Sequence, residues 1–255
     1  AHLREIGGTP ADSIAALARS ARCILLAVFS TDQVEDVVER QIVPAAGENP
    51  NAIVVCTSTT DPDRIAALAA RIAPHRIRFL DVPVSGTSEQ VRRGDGVALI
   101  GGDAAVAAEL SDIFDALFHR QFHIGKVGDG GRAKLAVNLI LGLNRLALAE
   151  GLVFAERLGL DPAAFLEVAK GSAAYSQVME TKGEKMLRAD FTPEGRVKQT
   201  LKDCHLMLDQ AAAAGQTLSM LEVHAEILAA CMQAGEADLD NSAVIKEVRR
   251  RGTKG

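Results

Sequence analysis

Residues 125–138 read GKVGDGGRAKLAVN and separate two halves of the chain that follow different hydrophobic patterns. Before this stretch, short β-branched runs alternate with amphipathic helical segments, which is typical of βαβ units and a mostly parallel sheet. After it, alanine and leucine recur at helical spacing without an alternating strand pattern. The sequence therefore predicts an α/β domain over residues 1–126 and an all-helical domain over residues 127–255.

The α/β half contains the signals of several strands and helices, and Asp103 is the expected N-cap of the last helix. The strands are predicted over residues 23–29, 52–57, 78–82, 97–100 and 121–124, and the helices over residues 10–20, 31–40, 62–72 and 103–117. In the second half, a long apolar helix beginning after Gly131 is expected to form the spine of the domain. Its whole circumference is apolar, so we expect it to be surrounded, partly by a second subunit.

The first residues differ from the usual start of a dinucleotide-binding sheet. Such a sheet opens with a strand, a G-x-G-x-x-G turn and a helix, because the glycines let backbone amides approach the pyrophosphate. The sequence contains no G-x-G-x-x-G, and residues 1–8 resemble the end of a helix followed by a turn. We therefore expect the sequence to begin inside this α/β domain, without its first strands and its phosphate turn.

Composition and charge indicate a globular protein and argue against non-specific binding to nucleic acid or membranes. The chain has 255 residues, of which 48% are hydrophobic and 24% are charged, as in soluble globular proteins. Its formal net charge of -5 lacks the basic excess that non-specific binding to nucleic acid or to an anionic membrane requires. We expect neither partner.

The long helix and the cysteines are consistent with a cytoplasmic protein. Residues 133–158 include lysine, arginine, glutamate and asparagine, which makes them too polar for the hydrocarbon of a membrane. No secretory signal is visible. The cysteines lie far apart and form no C-x-x-C pair, so we predict reduced thiols and no metal site. They are Cys23, Cys56, Cys204 and Cys231.

The segment Asp-Val-Pro-Val-Ser-Gly-Thr, residues 81–87, places a serine and a glycine just beyond the carboxyl end of the strand predicted over residues 78–82. In an open parallel sheet, ligands bind beyond the carboxyl ends of the strands. Gly86 would let a carboxylate approach the backbone, and the hydroxyl of Ser85 could bind that anion together with free amides. The alternative is an ordinary turn from strand to loop, and the segment by itself does not decide between them.

The glycine-rich start of the long helix carries a second candidate site. Lys134 and Asn138 are four residues apart and therefore lie on one face of the helix. Oxidation of an alcohol requires a group that accepts the hydroxyl proton, and a lysine among apolar neighbours has its pKa lowered toward the useful range. The alternative is a lysine that only reaches solvent. The apolar neighbours of Lys134 favour the chemical role.

Lys202 and Asp203 form a third polar feature, within a predicted helical stretch. Their proximity in sequence is what an ion pair on a helix surface would also produce, and such pairs contribute little. Taken alone, this feature indicates only a surface ion pair.

Together, however, these segments resemble the β-hydroxyacid dehydrogenase family, which includes 3-hydroxyisobutyrate dehydrogenase, tartronate semialdehyde reductase and, more distantly, 6-phosphogluconate dehydrogenase. Four patterns occur in the family's order, over essentially the whole chain. They are Asp-x-Pro-Val-Ser-Gly, Gly-x-x-Gly-x-Gly-x-x-x-Lys-x-x-x-Asn, Ala-Glu-x-Leu-x-x-Ala-Glu-x-x-Gly-Leu-Asp-Pro over residues 149–162, and Lys-Asp. The resemblance implies a Rossmann-type domain followed by an all-helical domain, and a homodimer or homotetramer.

The resemblance also implies roles for particular residues. Lys134 matches the catalytic lysine, and Asn138 matches the asparagine that orients the substrate. Ser85, Gly86 and Thr87 match the segment that binds the substrate carboxylate. The implied cofactor is NAD or NADP, and the residues implied to bind it are Val28, Phe29, Ser30, Ser58, Thr59 and Lys202.

Two residues depart from the family pattern near the expected substrate. Thr87 replaces the usual second glycine of the carboxylate segment, and Val137 replaces the asparagine that usually precedes the position of Asn138. Both changes leave less open or less polar space, so the substrates of the best-known members do not carry over directly.

The function predicted from these observations is reversible hydride transfer between NAD(P) and a small β-hydroxy acid or its semialdehyde. A decarboxylating enzyme similar to 6-phosphogluconate dehydrogenase is one alternative, although Val137 and Leu141 occupy the positions of its histidine and glutamate. Imine reductases are further relatives that usually lack the lysine. A non-catalytic binding module with the same fold is the other alternative, and the joint presence of Lys134, Asn138 and Ser85 favours the enzyme.

Overall fold

The structure is a computed structural model that describes residues 2–49 and 52–252. The chain divides into two compact units, Ala1–Lys134 and Leu135–Gly255. This division falls inside the long helix, whereas the sequence pattern changes before that helix, between residues 126 and 127. The predicted domain boundary stays a prediction, and the two units are described separately as the N-terminal and the C-terminal unit.

The N-terminal unit contains a mixed sheet in the order β1-β2-β3-β5-β4, with β6 paired to β5. Strands β1, β2 and β3 are parallel to one another and β6 is parallel to β5, which confirms the mostly parallel sheet. Strand β5 is antiparallel to β3 and to β4, and these two pairings were not predicted. The strands are β1 (Cys23–Leu26), β2 (Ile53–Cys56), β3 (Arg78–Asp81), β4 (Val84–Ser85), β5 (Val97–Gly101) and β6 (Arg120–Gly125).

Seven α-helices precede the long helix in the described residues, together with two 3-10 helices, Val43–Glu48 and Ala73–His75. Asp103 caps one of them, as predicted, by accepting a hydrogen bond from the Ala105 amide at 2.7 Å. A π-helical turn, Val38–Ile42, continues the third helix. The helices are α1 (His2–Glu5), α2 (Ile14–Ser20), α3 (Thr31–Val37), α4 (Pro62–Ile72), α5 (Ser88–Arg92), α6 (Ala104–Ala108) and α7 (Ser111–Leu117).

The central strand β2 explains the two-sided core of this unit. All four of its residues, Ile-Val-Val-Cys, are buried, as in a strand covered on both faces. Because successive side chains point to opposite faces, Val54 and Cys56 join one hydrophobic cluster while Ile53 and Val55 join the other. The buried core therefore holds the carboxyl ends of β1, β2 and β3 in a rigid frame.

The C-terminal unit is helical, as predicted. Apart from an isolated bridge between Arg196 and Asp240, its described residues form helices and connecting loops. The long helix begins at Asp129, so its first residues belong to the N-terminal unit. The helices are α8 (Asp129–Arg157), α9 (Pro162–Lys170), α10 (Glu184–Arg188), α11 (Val197–Ala213), α12 (Ser219–Gln233) and α13 (Val244–Arg251).

The third family pattern ends in a helix stop followed by a helix start. Gly159 has a φ of 81°, a left-handed conformation that favours glycine just after a helix. The Leu160 amide then donates to the Ala155 carbonyl at 3.0 Å. Asp161 caps α9 by accepting a hydrogen bond from the Ala164 amide, and Pro162 occupies the first helical position. The Gly-Leu-Asp-Pro sequence is thus explained by helix geometry alone.

Helix α8 keeps an apolar stripe exposed along its length. Val137, Ile140, Leu141 and Phe154 recur at helical spacing, and Ile140 and Phe154 are 63% and 65% exposed. Other residues of the helix join a buried hydrophobic cluster with α9, α12 and α13. Within the described residues of the C-terminal unit, the helix is therefore covered on part of its circumference only.

Helix α8 is also the one helix in the described residues that is long and apolar enough, by length and composition, to cross a membrane. The core helix of a soluble protein has the same properties. Two of its charged residues, Lys134 and Arg145, are buried. The expectation that this segment is too polar for hydrocarbon stays a prediction.

Candidate active site

The loops after β1 and β2 are tied together by one serine hydroxyl. Ser58 Oγ accepts a hydrogen bond from the Val28 amide at 2.9 Å and donates one to the Val28 carbonyl at 2.6 Å. Ser58 itself is buried. The structure thus brings together two of the residues implied to bind the cofactor, at the edge of the sheet where dinucleotides bind in related folds.

The rest of the loop after β1 is ordered by the start of α3. Ser30 is the N-cap of this helix, and its side chain accepts a hydrogen bond from the Gln33 amide. The side chain of Gln33 in turn accepts hydrogen bonds from the amides of Phe29 and Ser30, which completes a capping box. The Ser30 hydroxyl is therefore engaged in the helix cap, while the Phe29 side chain is exposed.

Four hydroxyl residues in succession, Thr57, Ser58, Thr59 and Thr60, follow β2. Thr59 is half-buried. Thr60 is fully buried, and among the described residues its Oγ1 has no hydrogen-bond partner. A buried hydroxyl without a partner calls for a ligand or a water to complete it. Thr60 was not singled out in the sequence, although its place beside Ser58 and Thr59 could have indicated it.

The carboxylate segment forms a strand followed by a tight turn. Ser85 ends β4, where it is paired with Val97. Gly86 has a φ of 144°, which a residue with a side chain rarely adopts. Thr87 is the N-cap of α5 and shares a capping box with Gln90, so both its amide and its hydroxyl are engaged within the loop. An ordinary turn is therefore present, and it leaves Ser85 half-buried at its rim.

The glycines at the start of α8 allow the helix to touch the sheet. A Cβ atom added to Gly130 would lie 2.5 Å from the Leu99 carbonyl oxygen and 2.6 Å from that of Asp81. The Gly131 amide donates a hydrogen bond of 2.7 Å to Asp81 Oδ2. Burial raises the pKa of the Asp81 carboxyl to about 6, although the amides of Gly131 and Gly128 act in the opposite direction. Asp81 had been assigned no role in the sequence.

Lys134 lies one turn after Gly131 and is only 7% exposed. The alternative that this lysine merely reaches solvent is therefore wrong. Few lysines are buried in folded proteins, because removing an ammonium group from water is costly. Its burial at the start of α8 is the environment that acid/base chemistry by a lysine requires.

In the C-terminal unit, Asn138 and Lys202 meet at one carboxylate. Asn138 Nδ2 donates to Asp203 Oδ2 at 3.1 Å, and Lys202 Nζ lies 2.9 Å from Asp203 Oδ1. Asp203 is buried, so the alternative of a surface ion pair is wrong. Because a carboxylate only accepts hydrogen bonds, it fixes the amide nitrogen of Asn138 and turns the amide oxygen away from itself. Sequence reasoning missed this role of Asp203.

Two family models match successive parts of the chain. The model of the NAD-binding domain of 6-phosphogluconate dehydrogenase matches residues 1–125. The model described as NAD-binding of NADP-dependent 3-hydroxyisobutyrate dehydrogenase matches residues 128–248. Both descriptions name a nicotinamide dinucleotide, and the two matches meet at the start of α8.

Relatives and solved structures agree with these models. The chain is 28% identical to 2-hydroxy-3-oxopropionate reductase of Escherichia coli, over 96% of this chain and 84% of that protein. It is 29% identical to L-threonate dehydrogenase of Cupriavidus necator, over 95% of this chain and 82% of that protein. The crystal structure of 3-hydroxyisobutyrate dehydrogenase from Salmonella typhimurium superposes with a TM-score of 0.88 at 25% identity, covering 96% of this chain and 86% of that one. The chain belongs to the β-hydroxyacid dehydrogenase family, as an NAD(P)-dependent enzyme similar to 3-hydroxyisobutyrate dehydrogenase.

Proposed function

We propose that this enzyme transfers a hydride reversibly between NAD(P) and a short β-hydroxy acid or its semialdehyde, with Lys134 as general acid/base. In the oxidative direction, the carbinol carbon loses its hydride and Lys134 Nζ accepts the hydroxyl proton. In the reductive direction, the same ammonium returns a proton to the carbonyl oxygen. Bound NAD(P) supplies the hydride acceptor or donor, and the protein supplies position and the proton path.

The observation that carries this proposal is the burial of Lys134. A lysine withdrawn from water loses part of the hydration that favours its charged form, which suits it to proton transfer better than a lysine on the surface. The glycine-rich first turn, packed against the sheet, gives the lysine a fixed starting point on the helix. Both features support a chemical rather than a surface role.

Substrate recognition is assigned to the residues that the family pattern implies. Ser85 and Gly86 would bind the carboxylate through a hydroxyl and an accessible backbone, and Thr87 shapes the end of that segment. Asn138 would orient the reacting hydroxyl, since Asp203 holds its amide nitrogen and leaves its oxygen as an acceptor. The names of the relatives point to short polar hydroxy acids, such as threonate, as the first compounds to test.

The cofactor is assigned to the loops after β1 and β2 and to Lys202. The hydroxyls of Thr59 and Thr60 offer donors and acceptors of the kind that a nicotinamide carboxamide or a ribose requires. The hydrogen bonds between Ser58 and Val28 would hold the two loops in place beside them. Phe29 and Ser30 would lie along the same loop. Lys202 would contribute a positive charge from the helical unit.

Turnover measurements test the proposal directly. The full-length protein is assayed with a panel of short hydroxy acids, with NAD and NADP in parallel, and compared with Lys134→Ala. Because positioned acid/base groups contribute about 10²- to 10⁴-fold, we expect kcat to fall by that factor while folding and dinucleotide binding persist. Lys126→Ala, an exposed lysine from the same region, is the control and should retain its activity. Unchanged turnover in Lys134→Ala would contradict the role of this lysine.

We also propose that the enzyme is a homodimer or homotetramer in which a second copy covers the exposed stripe of α8. Four large apolar side chains on one helix face are unfavourable in water, and burial against an identical helix would remove them from solvent. Ile140→Lys should lower the molar mass measured by light scattering. Met220→Lys, also exposed and apolar but on α12, should leave it unchanged.

We place the enzyme in the cytoplasm. All four cysteines are free, and three of them, Cys56, Cys204 and Cys231, are buried. Burial raises the pKa of each of these three thiols to about 12, which keeps them protonated and unreactive. Reduced, buried thiols suit a reducing compartment. Fractionation of cells that produce the full-length protein would test this location.

A further inference from the structure

The end of β3 and the start of α8 are joined by a hydrogen bond from the helix backbone to a buried carboxylate, in addition to close packing. Asp81, the last residue of β3, is fully buried, and its Oδ2 accepts the Gly131 amide hydrogen bond at 2.7 Å. A buried carboxylate is expensive, and a hydrophobic residue at the end of a buried strand would avoid that cost. A function is therefore expected of this side chain beyond filling space.

Steric contacts fix the same turn from its other side. A Cβ atom added to Gly130 would clash with two backbone carbonyl oxygens of the sheet. A Cβ atom added to Gly131 would lie 3.3 Å from Asp81 Oδ2 and 3.4 Å from Pro62 at the start of α4. The first turn of α8 thus rests on the sheet with no side chain between them, and Asp81 holds it there.

The charges around Asp81 show how the contact is stabilised. Asp129 and Arg132 face it from α8, and Cys56 faces it from β2. Cys56 is a neutral thiol, because burial raises its pKa to about 12. Arg132 is also bound to Asp129 and to Asp63, so part of its charge is already compensated. The positive end of the helix dipole and the glycine amides therefore remain important partners of the ionised carboxylate.

We propose that Asp81 is a positioning residue, which sets the place of Lys134 by holding the first turn of α8 through the Gly131 amide. Lys134 follows Gly131 by three residues, so it lies on nearly the same face one turn later. This inference rests on the proposed role of Lys134. It assigns Asp81 a contact with the backbone of the lysine-bearing helix rather than with substrate.

Two variants alter this contact from opposite sides. Asp81→Asn keeps an acceptor oxygen of the same shape but removes the charge, and Gly131→Ala pushes the helix away by a few tenths of an ångström. Because a displacement of 1 Å can cost about 100-fold, we expect kcat to fall roughly 3- to 30-fold in both, with KM changed by less than about 3-fold. Gly151→Ala, on the same helix but with only an ordinary contact to Phe165 at 3.8 Å, is the control.

A second readout separates positioning from mere stability. At pH 8 the ionised Asp81 is an unfavourable buried charge, so Asp81→Asn should unfold at the same temperature as the wild type or above it while its kcat is lower. The acid limb that protonation of Asp81 near pH 6 adds to the kcat profile should also disappear in this variant. A purely structural role would make activity follow stability.

Hydrogen exchange distinguishes failure of this inference from failure of the proposed function. Without cofactor or substrate, amides of residues 128–134 should exchange faster in Asp81→Asn and Gly131→Ala than in the wild type and in Gly151→Ala. A wild type without hydroxy-acid turnover would remove the proposed function and, with it, the positioning role. An active wild type whose kcat and exchange are matched by both variants would overturn the inference about Asp81 alone.

Discussion

Asp81 in the N-terminal unit and Asp240 in the C-terminal unit are both fully buried, yet the pKa values of their carboxyl groups shift in opposite directions. The pKa of Asp81 is raised by burial to about 6. Burial acts on Asp240 in the same direction, but the Glu194 amide and the Lys182 ammonium outweigh it and lower the pKa to about 2. The partners of Asp240 therefore reverse the shift that burial produces at Asp81.

The partners of Asp240 form a closed network. Lys182 Nζ lies 3.0 Å from Asp240 Oδ2 and 3.0 Å from Glu194 Oε2, and the amides of Glu194 and Ser242 donate to the same carboxylate. Asp81 is hydrogen-bonded to the start of a helix, and no lysine is among the groups of the described residues that chiefly set its pKa. Asp240 thus links neighbouring segments of the C-terminal unit as a carboxylate that is ionised at neutral pH. The carboxyl of Asp81, with its pKa of about 6, changes its charge within the pH range in which enzymes are usually assayed. A buried carboxylate by itself indicates neither role.

The largest effect in this comparison should follow the removal of the Lys182 charge. Lys182→Met leaves Asp240 buried without its cation, and breaking a buried pair costs about 3 to 5 kcal/mol. We expect the free energy of unfolding in urea to fall by that amount. Lys198→Met breaks the exposed pair with Asp238 and should cost less than about 1 kcal/mol. If Lys182→Met and Lys198→Met lost the same free energy of unfolding, the buried network around Asp240 would be no more stabilising than an exposed ion pair.

The pH dependence of stability should have opposite signs at the two carboxylates. Asp81 has a pKa of about 6 in the folded state against 3.8, so its stabilisation is complete below pH 4 and is lost as the pH rises through 6. The free energy of unfolding of the wild type, relative to Asp81→Asn, should fall by up to about 3 kcal/mol between pH 4 and 8.

For Asp240 the folded-state pKa is below 3.8, so its stabilisation is present above pH 4 and is lost as the pH falls toward 2. Urea titrations of the wild type, Asp81→Asn and Asp240→Asn between pH 2 and pH 8 measure how the free energy of unfolding changes with pH at each carboxylate. If the free energies of unfolding of the wild type and of Asp81→Asn changed equally from pH 4 to 8, the raised pKa of Asp81 would be contradicted.

The smallest effect is expected at Thr87, at the far end of the segment that begins with Asp81. Thr87→Ala removes the cap of α5, so the free energy of unfolding should fall by about 1 kcal/mol. Thr87→Ser keeps the hydroxyl and should restore most of it. A loss of several kcal/mol would mean that Thr87 stabilises the fold through more than a local helix cap, as Lys182 does through the Asp240 network. A rise in KM would in addition support the assignment of Thr87 to the substrate segment.

Much of the fold was predictable because local signals agreed with the packing. Helix α4 begins and ends as predicted, since Asp61 caps it and Pro62 occupies its first position. Other features carry too little signal. Strand β4 has only two residues, and the predicted helix over residues 103–117 is interrupted between α6 and α7, where no glycine or proline marks the break.

Although the roles of Lys134, Ser85 and Asn138 stay predictions, these candidate residues were identifiable because chemistry and sequence order coincide there. The groups that hold these residues were not, because their contacts join distant parts of the chain. Asp203 meets Asn138 across 65 residues, and Asp81 meets Gly131 across 50. No periodicity or spacing connects such pairs, so only the folded arrangement shows which carboxylate holds which partner.

The packing of Gly130 has an evolutionary consequence. Every other amino acid adds a carbon where carbonyl oxygens already lie 2.5 and 2.6 Å away, so no missense change at this codon escapes the collision. In a library of all single substitutions, this position should accept nothing but glycine. Gly151, further along the same helix, has room for a methyl group and should drift to alanine freely. One helix would thus carry both an immutable and a permissive glycine, distinguishable by a growth-based selection.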